Sequence, residues 1–231
     1  MSEFFSKVIE LFTTQKYMTS MLGGLKMTVI ISIGAMLLGL LLGGLVAMVT
    51  ISRPSKVMIL PKAICKVYIT VIRGTPMALQ LFIMAYVVLA IRDFPQILTA
   101  IIAFGINSGA YVAENIRAGI LSVDAGQTEA GRALGLSSAV TMIHIVFPQA
   151  IKNVIPAIGN ELIALIKETS IVSMIGMYDL TNAAKIIGGG NQMASYVVPM
   201  SVAALFYLAI VYILTFCIKM IEKRLRASDK R

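Results

Sequence analysis

Residues 22–50 read LGGLKMTVIISIGAMLLGLLLGGLVAMVT, an apolar stretch in which Lys26 is the one charged residue. A helix crosses the hydrocarbon core of a bilayer with about 20 apolar residues, so this stretch predicts a transmembrane helix. It is too long for the apolar region of a cleavable signal peptide, and the polar, mixed residues Met1–Thr19 do not form one. The chain is therefore expected to be an integral membrane protein.

The composition extends this prediction to the whole chain. Apolar residues make up 58% of the 231 residues and charged residues only 13%, about half the charged fraction of a soluble domain. We predict one all-α membrane domain over residues 1–231. The net charge of +9 does not indicate a nucleic-acid partner, because the basic residues cluster between apolar runs and read as determinants of topology.

Five apolar runs are candidate membrane spans, and they cover about residues 22–50, 76–91, 98–120, 155–175 and 196–220. The run Val57–Ile72 is ambiguous, because Pro61, Lys62 and Lys66 interrupt its apolar surface and Lys56 directly precedes it. We expect this run to lie at the inner face of the membrane, with its lysines reaching towards water. Two GxxxG pairs, Gly39/Gly43 and Gly105/Gly109, are expected to pack within the chain.

The distribution of basic residues predicts the orientation of the spans. One side carries Arg53, Lys56, Lys62, Lys66, Arg73, Arg117, Arg132, Lys152, Lys219, Lys223, Arg224, Arg226, Lys230 and Arg231, and the other carries Lys7, Lys16, Lys26, Arg92 and Lys185. The more basic side is expected to face the cytoplasm. The N-terminus is then outside, the C-terminus is cytoplasmic, and an odd number of spans is required.

A polar interruption, EAGRALGLSSAVTMIHIVFP at Glu129–Pro148, separates the third run from the fourth. It resembles the cytoplasmic coupling motif of the membrane subunits of binding-protein-dependent ABC importers. The matching residues are Glu129, Ala130, Gly135, Ile145 and Pro148, while Gly131 and Phe147 depart from the pattern. Within this coupling segment, residues 126–148, we expect a short helix bracketed by Gly126 and Gly135. Ser137 should cap a second helix that runs through Phe147.

Further motifs are similar to the polar amino-acid uptake subclass of these permeases, the histidine/glutamine/arginine type. They are Arg73-Gly74-Thr75-Pro76 with Gln80, Ala110–Glu114 with Arg117 and Ile120, and Asn160-Glu161 followed by Lys167-Glu168-Thr169-Ser170. The resemblance implies a type I ABC importer permease fold, with five transmembrane helices and a cytoplasmic coupling helix. It also implies a pair of permease subunits, formed with a second copy or with a sister chain.

The chain is not expected to be an enzyme. Gly126–Gly131 has the glycine spacing of a P-loop, but Arg132-Ala133 follows where Lys and Ser or Thr are needed. The sequence shows neither a catalytic triad nor the spacing of a metal site, and Cys65 and Cys217 are unpaired in pattern. The resemblance places ATP and magnesium on a cytoplasmic ATP-binding subunit dimer, and substrate delivery on an extracellular or periplasmic amino-acid-binding protein.

Two carboxylates in the predicted spans, Glu114 and Glu161, are candidates for a substrate site together with Asn160 and Gln80. Charges at membrane depth cost ~2.5–3.5 kcal/mol on insertion scales and are kept mainly for function or for pairing. A network that only fixes helix packing is the alternative. We expect Arg73, Gly74, Thr75 and Pro76 to break a helix at the membrane surface, with Thr75 as its cap. Lys167 and Glu168 could form a gate or a simple ion pair.

The predicted cargo is a polar or basic amino acid, with cystine as a further candidate, and the sequence does not select one. A secondary transporter driven by an ion gradient is the alternative function. It predicts inverted repeats with broken helices, and the two halves of this sequence show no internal repeat.

Overall fold

The computed structural model describes residues 2–190, 193 and 195–227, and these residues form helices and turns without strands. The α-helices are α1 (Ser2–Thr13), α2 (Gln15–Ile51), α3 (Ile59–Gly74), α4 (Met77–Ile83), α5 (Gln96–Leu121), α6 (Ala125–Ala133), α7 (Ser138–Thr141), α8 (Phe147–Glu168), α9 (Leu180–Gly188) and α10 (Val197–Leu225). Short 3-10 segments cover Lys56–Met58 and Thr169–Ile175, and π-helical turns cover Met84–Val88 and Met142–Val146. Lys230 and Arg231, both used in the charge count, lie outside the described residues.

Four helical stretches of the described chain are long and apolar enough to cross a membrane: α2, α5, the continuous run Ser138–Ile175, and α10. A fifth is reached only if Lys56–Gly74 and Met77–Val88, a sharply bent pair, count as one span. The all-helical membrane fold is thus confirmed, while the count of five spans stays a prediction.

The structure changes the second predicted span, residues 76–91. Its helix begins at Met77 and ends at Val88, where the amide of Leu89 donates to the carbonyl of Met84 at 2.8 Å. At 1.5 Å per residue this helix is about 18 Å long, well short of a hydrocarbon core of about 30 Å. The run Val57–Ile72, expected at the inner face, therefore belongs to the bent pair that could supply this span.

The structure also moves the start of the fourth predicted span, residues 155–175. Helix α8 begins at Phe147 and continues directly from the coupling segment, with Pro156 inside it. Glu161 therefore lies about four turns into α8, and not about one turn inside a span that starts at residue 155. The first and last spans are also longer than predicted, since α2 begins at Gln15 and α10 ends at Leu225.

The chain divides into two compact units. Unit 1 comprises Met1–Met36, Pro76–Phe104 and Ile163–Ile213, and unit 2 comprises Leu37–Thr75, Gly105–Leu162 and Leu214–Arg231. Several helices contribute to both units. The prediction of one domain over residues 1–231 stays a prediction.

The core of unit 1 packs the start of α2 against α9 and α10. Its buried residues are Leu11, Tyr17, Met21, Leu180, Ala183, Ala184, Ile187, Met193, Val198, Val202 and Ala203. Asp179 is fully buried beside this core and caps α9, accepting hydrogen bonds from the amides of Asn182 at 2.8 Å and Thr181 at 3.0 Å. Burial raises the pKa of the Asp179 carboxyl above its usual range, and these hydrogen bonds partly offset the rise.

In unit 2, α2 and α5 approach each other closely through their glycines. A methyl group added at Gly43 would lie 2.7 Å from both the Gly109 carbonyl oxygen and Val112 Cβ. One added at Gly39 would lie 2.9 Å from Ser108 Oγ. The structure thereby confirms that these GxxxG residues pack within the chain, as small residues do where lipid offers no hydrophobic drive.

Candidate coupling surface and substrate site

Helix α6 forms the first half of the coupling segment. Asp124 caps its start, because Oδ1 accepts a hydrogen bond from the Gly126 amide at 2.7 Å. At its end the Leu136 amide donates to the Gly131 carbonyl at 3.1 Å, and the Gly135 amide donates to the Arg132 carbonyl at 3.0 Å. This pattern needs a left-handed residue after the helix, and Gly135 supplies it with φ 79°. The predicted short helix is confirmed and Gly135 ends it, but it begins at Ala125 with Asp124 as its cap, so Gly126 lies inside the helix and does not bracket it.

The second half of the segment begins as predicted and ends differently. The Ser137 Oγ accepts from the Val140 amide at 3.3 Å and caps α7. The backbone then passes through the π-helical turn Met142–Val146 into α8 and does not stop at Phe147. Pro148 is the second residue of α8 and directly follows the π-helical turn, so the helical path continues past a residue that has no amide hydrogen to donate.

The two halves pack through Gly131, the position at which the sequence departs from the Glu-Ala-Ala pattern. Gly131 is buried, and a methyl group added there would lie 2.7 Å from Thr141 Cγ2 and 3.3 Å from Ile145 Cδ1. The glycine therefore lets α6 lie directly against Thr141. Gly131 and Ile145 serve this packing, and Gly135 serves the turn.

The outer face of the coupling segment is apolar and exposed. Glu129 and Ala130 are exposed on α6. Leu134 is 79% exposed, and Leu136, Val140, Ile143 and Phe147 are exposed beside it in sequence. An apolar cluster of this kind on a polar loop indicates a protein-binding surface.

Hydrogen bonds tie this segment to the neighbouring helices of unit 2. Gln149 donates to the side chain of Gln127 at 3.1 Å. Asn153 donates to Ser122 Oγ at 2.8 Å and accepts from Arg226, near the C-terminus, at 3.3 Å. The start of α6, the start of α8 and the end of α10 are thereby linked.

Glu114 is engaged by a neighbour on α5. Arg117 Nε donates to Glu114 Oε2 at 3.0 Å, and a second Arg117 N–H donates to the other carboxylate oxygen. Close by in the same unit, the Arg73 guanidinium lies 5.2 Å from the centre of the Tyr111 ring, a cation–π contact.

The predicted substrate residues are not gathered in one place. Glu114 lines a cavity of about 290 Å³ with residues of α2 and α3, and this cavity contains neither Asn160 nor Glu161. Asn160 is exposed and Glu161 is half-buried on α8, and both belong with Glu114 to unit 2. Gln80 is half-buried on α4 and belongs to unit 1.

The predicted helix break at Arg73–Pro76 is present, but Thr75 is not its cap. Thr75 is extended after α3 and its hydroxyl donates back to the Val71 carbonyl at 2.8 Å, while Pro76 holds the cap position before Met77. At the other candidate gate, Lys167 and Glu168 end α8, and the backbone tightens into the 3-10 segment from Thr169.

Sequence reasoning missed that two lysines of α3, Lys62 and Lys66, line the cavity beside Glu114. Their spacing of four residues places them on one helix face, and this spacing could have indicated that the two lysines lie together. In the described part of the chain, no group of three His, Cys, Asp or Glu side chains could hold a metal ion.

Residues 35–227 match the family described as "Binding-protein-dependent transport system inner membrane component". The chain is 40% identical over 212 residues to the arginine transport system permease protein ArtQ of Bacillus subtilis, covering 90% of this chain and 93% of that protein. It is 38% identical over 205 residues to a putative glutamine transport system permease protein GlnP of Rickettsia typhi, covering 87% of this chain and 91% of that protein. The crystal structure of an amino acid ABC transporter with histidines superposes with a TM-score of 0.83 at 39% identity, covering 90% of this chain and 95% of that one.

Proposed function

The chain belongs to the family of binding-protein-dependent inner membrane transport components, and from that premise we propose that it carries an amino acid into the cell as the permease subunit of an ABC importer. The observation that carries this proposal is the coupling segment, which is capped at both halves, packed through Gly131 and exposes Leu134 on its outer face. A secondary transporter has no use for such a surface. Family membership does not favour that alternative.

The energy for transport comes from a partner in this proposal. ATP and magnesium bind to a cytoplasmic ATP-binding subunit dimer, and the α6 of each permease subunit enters a groove on one ATP-binding subunit. The small exposed residue Ala130 gives the outer side of α6 a narrow profile, and the exposed apolar side chains of the coupling segment supply contact area. An external amino-acid-binding protein delivers the substrate, and two permease subunits, identical or sister chains, form the path.

The substrate is a polar or basic amino acid in this proposal. Proteins similar to this chain are named for arginine and glutamine transport, and Asn160 and Glu161 offer an amide and a carboxylate that suit an ammonium or guanidinium group. Arg117 already engages both oxygens of Glu114, so a substrate at Glu114 would have to compete with that pair.

Uptake by the reconstituted complex tests the proposal, with Leu134→Glu as the diagnostic variant. Leu134 is 79% exposed, so the substitution should leave folding and membrane insertion unchanged. A carboxylate in an apolar contact should weaken ATPase association by about tenfold or more. ATPase stimulation by the loaded binding protein should fall with it.

Leu134→Met is the matched control, since it keeps an apolar side chain of similar size, and it should retain wild-type uptake. Wild-type association and uptake in the Leu134→Glu complex would contradict the assignment of this face to the ATPase.

A further inference from the structure

Unit 2 contains a basic cavity that the transport proposal uses only through Glu114. It has a volume of about 290 Å³ and is lined by Thr50, Lys62, Lys66, Ile69, Thr70, Glu114 and Arg117. Lys62, Lys66 and Thr70 are spaced four residues apart on α3 and therefore share one helix face. Thr50 comes from the last turn of α2, and the Glu114–Arg117 pair comes from α5.

The charges around this cavity do not balance. Glu114 is the one carboxylate in the lining, and Arg117 neutralises it through two hydrogen bonds. Lys62 Nζ donates to the carbonyl of Ser52, which bears no net charge. Lys66 is exposed and makes no ion pair with a carboxylate of the described residues. The Thr50 hydroxyl already donates to the Ala47 carbonyl at 3.0 Å. Two lysine charges and the Thr70 hydroxyl thus remain for an anion with several acceptor oxygens, and a phosphate group has that chemistry.

The cavity lies at the end of an apolar membrane helix. Thr50 stands one residue before Ile51, where the long apolar helix α2 ends. Helix α3 exposes Ile64 by 60%, Val67 by 62% and Val71 by 52% on the face away from the lysines, so α3 is amphipathic. Basic pockets between membrane helices bind the headgroups of anionic lipids.

We propose that this cavity binds the phosphate group of an anionic phospholipid through Lys62, Lys66 and Thr70. The lipid then lies between the amphipathic helix α3 and the Glu114–Arg117 pair of α5, next to the end of α2. The residues that bind the phosphate are not substrate candidates, so occupancy of this site does not depend on the identity of the amino acid.

The test uses the full chain, purified in a neutral detergent and stripped of lipid, at about 0.15 M salt, where surface charges are screened beyond about 8 Å. Phosphatidylglycerol in mixed micelles should raise the thermal unfolding midpoint, and native mass spectrometry should retain the bound lipid. Phosphatidylcholine at the same concentration should do neither. Lys66→Gln should weaken apparent affinity for phosphatidylglycerol about fivefold, and adding Lys62→Gln should weaken it about a further fivefold.

Two matched variants separate the site from general charge effects. Lys56→Gln removes the same charge from the same basic segment but from outside the cavity lining, and it should retain the wild-type affinity. Lys66→Arg keeps the charge and should retain most of the binding. Equal weakening by Lys56→Gln and Lys66→Gln would overturn the proposal.

Soluble ligands distinguish the source of the phosphate. Inorganic phosphate and glycerol 3-phosphate should stabilise the protein far less than phosphatidylglycerol. Equal stabilisation by these soluble phosphates would overturn the lipid assignment. Stabilisation by free arginine that depends on Lys66, without any effect of phosphatidylglycerol, would also overturn it and assign the cavity to the substrate.

Discussion

Two membrane carboxylates of unit 2 have different surroundings. Glu114 is held by Arg117 in a paired geometry, and its side chain is 25% exposed. Glu161 follows the exposed Asn160 on α8 and is half-buried. A carboxylate that is already paired within its own helix offers little to a cationic ligand. Glu161 adjoins an exposed amide, Asn160, and is the residue at which the substrate prediction is tested.

Glu161→Gln should raise the substrate concentration needed for half-maximal uptake by about tenfold or more, because a hydrogen bond to a charged group contributes about 1.5–3 kcal/mol. The amide keeps the shape of the carboxylate, so assembly should survive. Uptake by reconstituted complexes across substrate concentrations, with ATPase followed in parallel, measures the effect.

Glu222→Gln serves as the control for removing a carboxylate. Glu222 pairs with Arg226 at 3.2 Å on the exposed end of α10, and such i,i+4 pairs contribute only about 0.3–0.5 kcal/mol. Unchanged uptake of every amino acid by Glu161→Gln would show that Glu161 is structural.

At the scale of the elements, the coupling segment is a pair of helices held by one close contact. The contact depends on glycine at position 131, because a methyl group there would lie 2.7 Å from Thr141 Cγ2. Thr141 is itself buried, and its hydroxyl donates to the Ser137 carbonyl at 3.0 Å. The sequence departure at Gly131 is thus matched by a bulky neighbour in the facing helix.

This match predicts a compensating pair of substitutions. Gly131→Ala should destabilise the protein by about 1–3 kcal/mol, as overpacking usually does. Gly131→Ala combined with Thr141→Ala should recover much of that loss, since alanine removes both atoms that crowd the new methyl group. A double-mutant cycle of thermal or denaturant stability in detergent measures the coupling between the two sites.

The cycle also requires the single variant Thr141→Ala. Its stability gives the cost of losing the hydrogen bond from Thr141 to Ser137, separately from the relief of crowding. Strictly additive effects of the two substitutions would mean that the Gly131–Thr141 contact does not limit the packing of α6.

The start of each coupling helix could be read from sequence, and the end of the second could not. Asp124 and Ser137 are residue types whose side chains cap helices, and Gly135 is the type that ends one. Pro148 gave a misleading signal, because the helical path continues through it from the π-helical turn into α8. Thr75 was also misleading, because it was expected to cap the helix that follows it. Its hydroxyl instead donates a hydrogen bond to the Val71 carbonyl in the helix that precedes it.

For the molecule as a whole, apolar runs and motif spacing predicted the helical membrane fold and the family. They did not predict the cavity beside Glu114, because its lining comes from three helices that are distant in sequence. They also overestimated the helix after Pro76, since the apolar residues Leu89–Ile91 continue the pattern after the helix has ended. Hydropathy shows which residues can lie in lipid, but it does not show at which residue a helix ends.

The predicted orientation is tested by labelling single cysteines in a chain from which Cys65 and Cys217 have been removed. Gln96→Cys should react with an impermeant reagent added outside the cell, and Ser137→Cys should not. Both positions are exposed on the protein, so a difference in labelling reports the side of the membrane. Labelling of Ser137→Cys from outside would contradict the orientation and the coupling proposal together.

The unbroken helical path from Ser138 through the π-helical turn to Glu161 has a mechanical consequence. In the coupling proposal, the part from Pro148 to Glu161 acts as a lever arm about 20 Å long, at 1.5 Å per residue. A pivot of ~5° at its inner end would carry Glu161 through ~1.7 Å, more than the roughly 0.5 Å over which hydrogen-bond lengths vary. Force applied at the coupling surface would then loosen a substrate bound at Glu161, four helical turns away, without a relay of side chains between them.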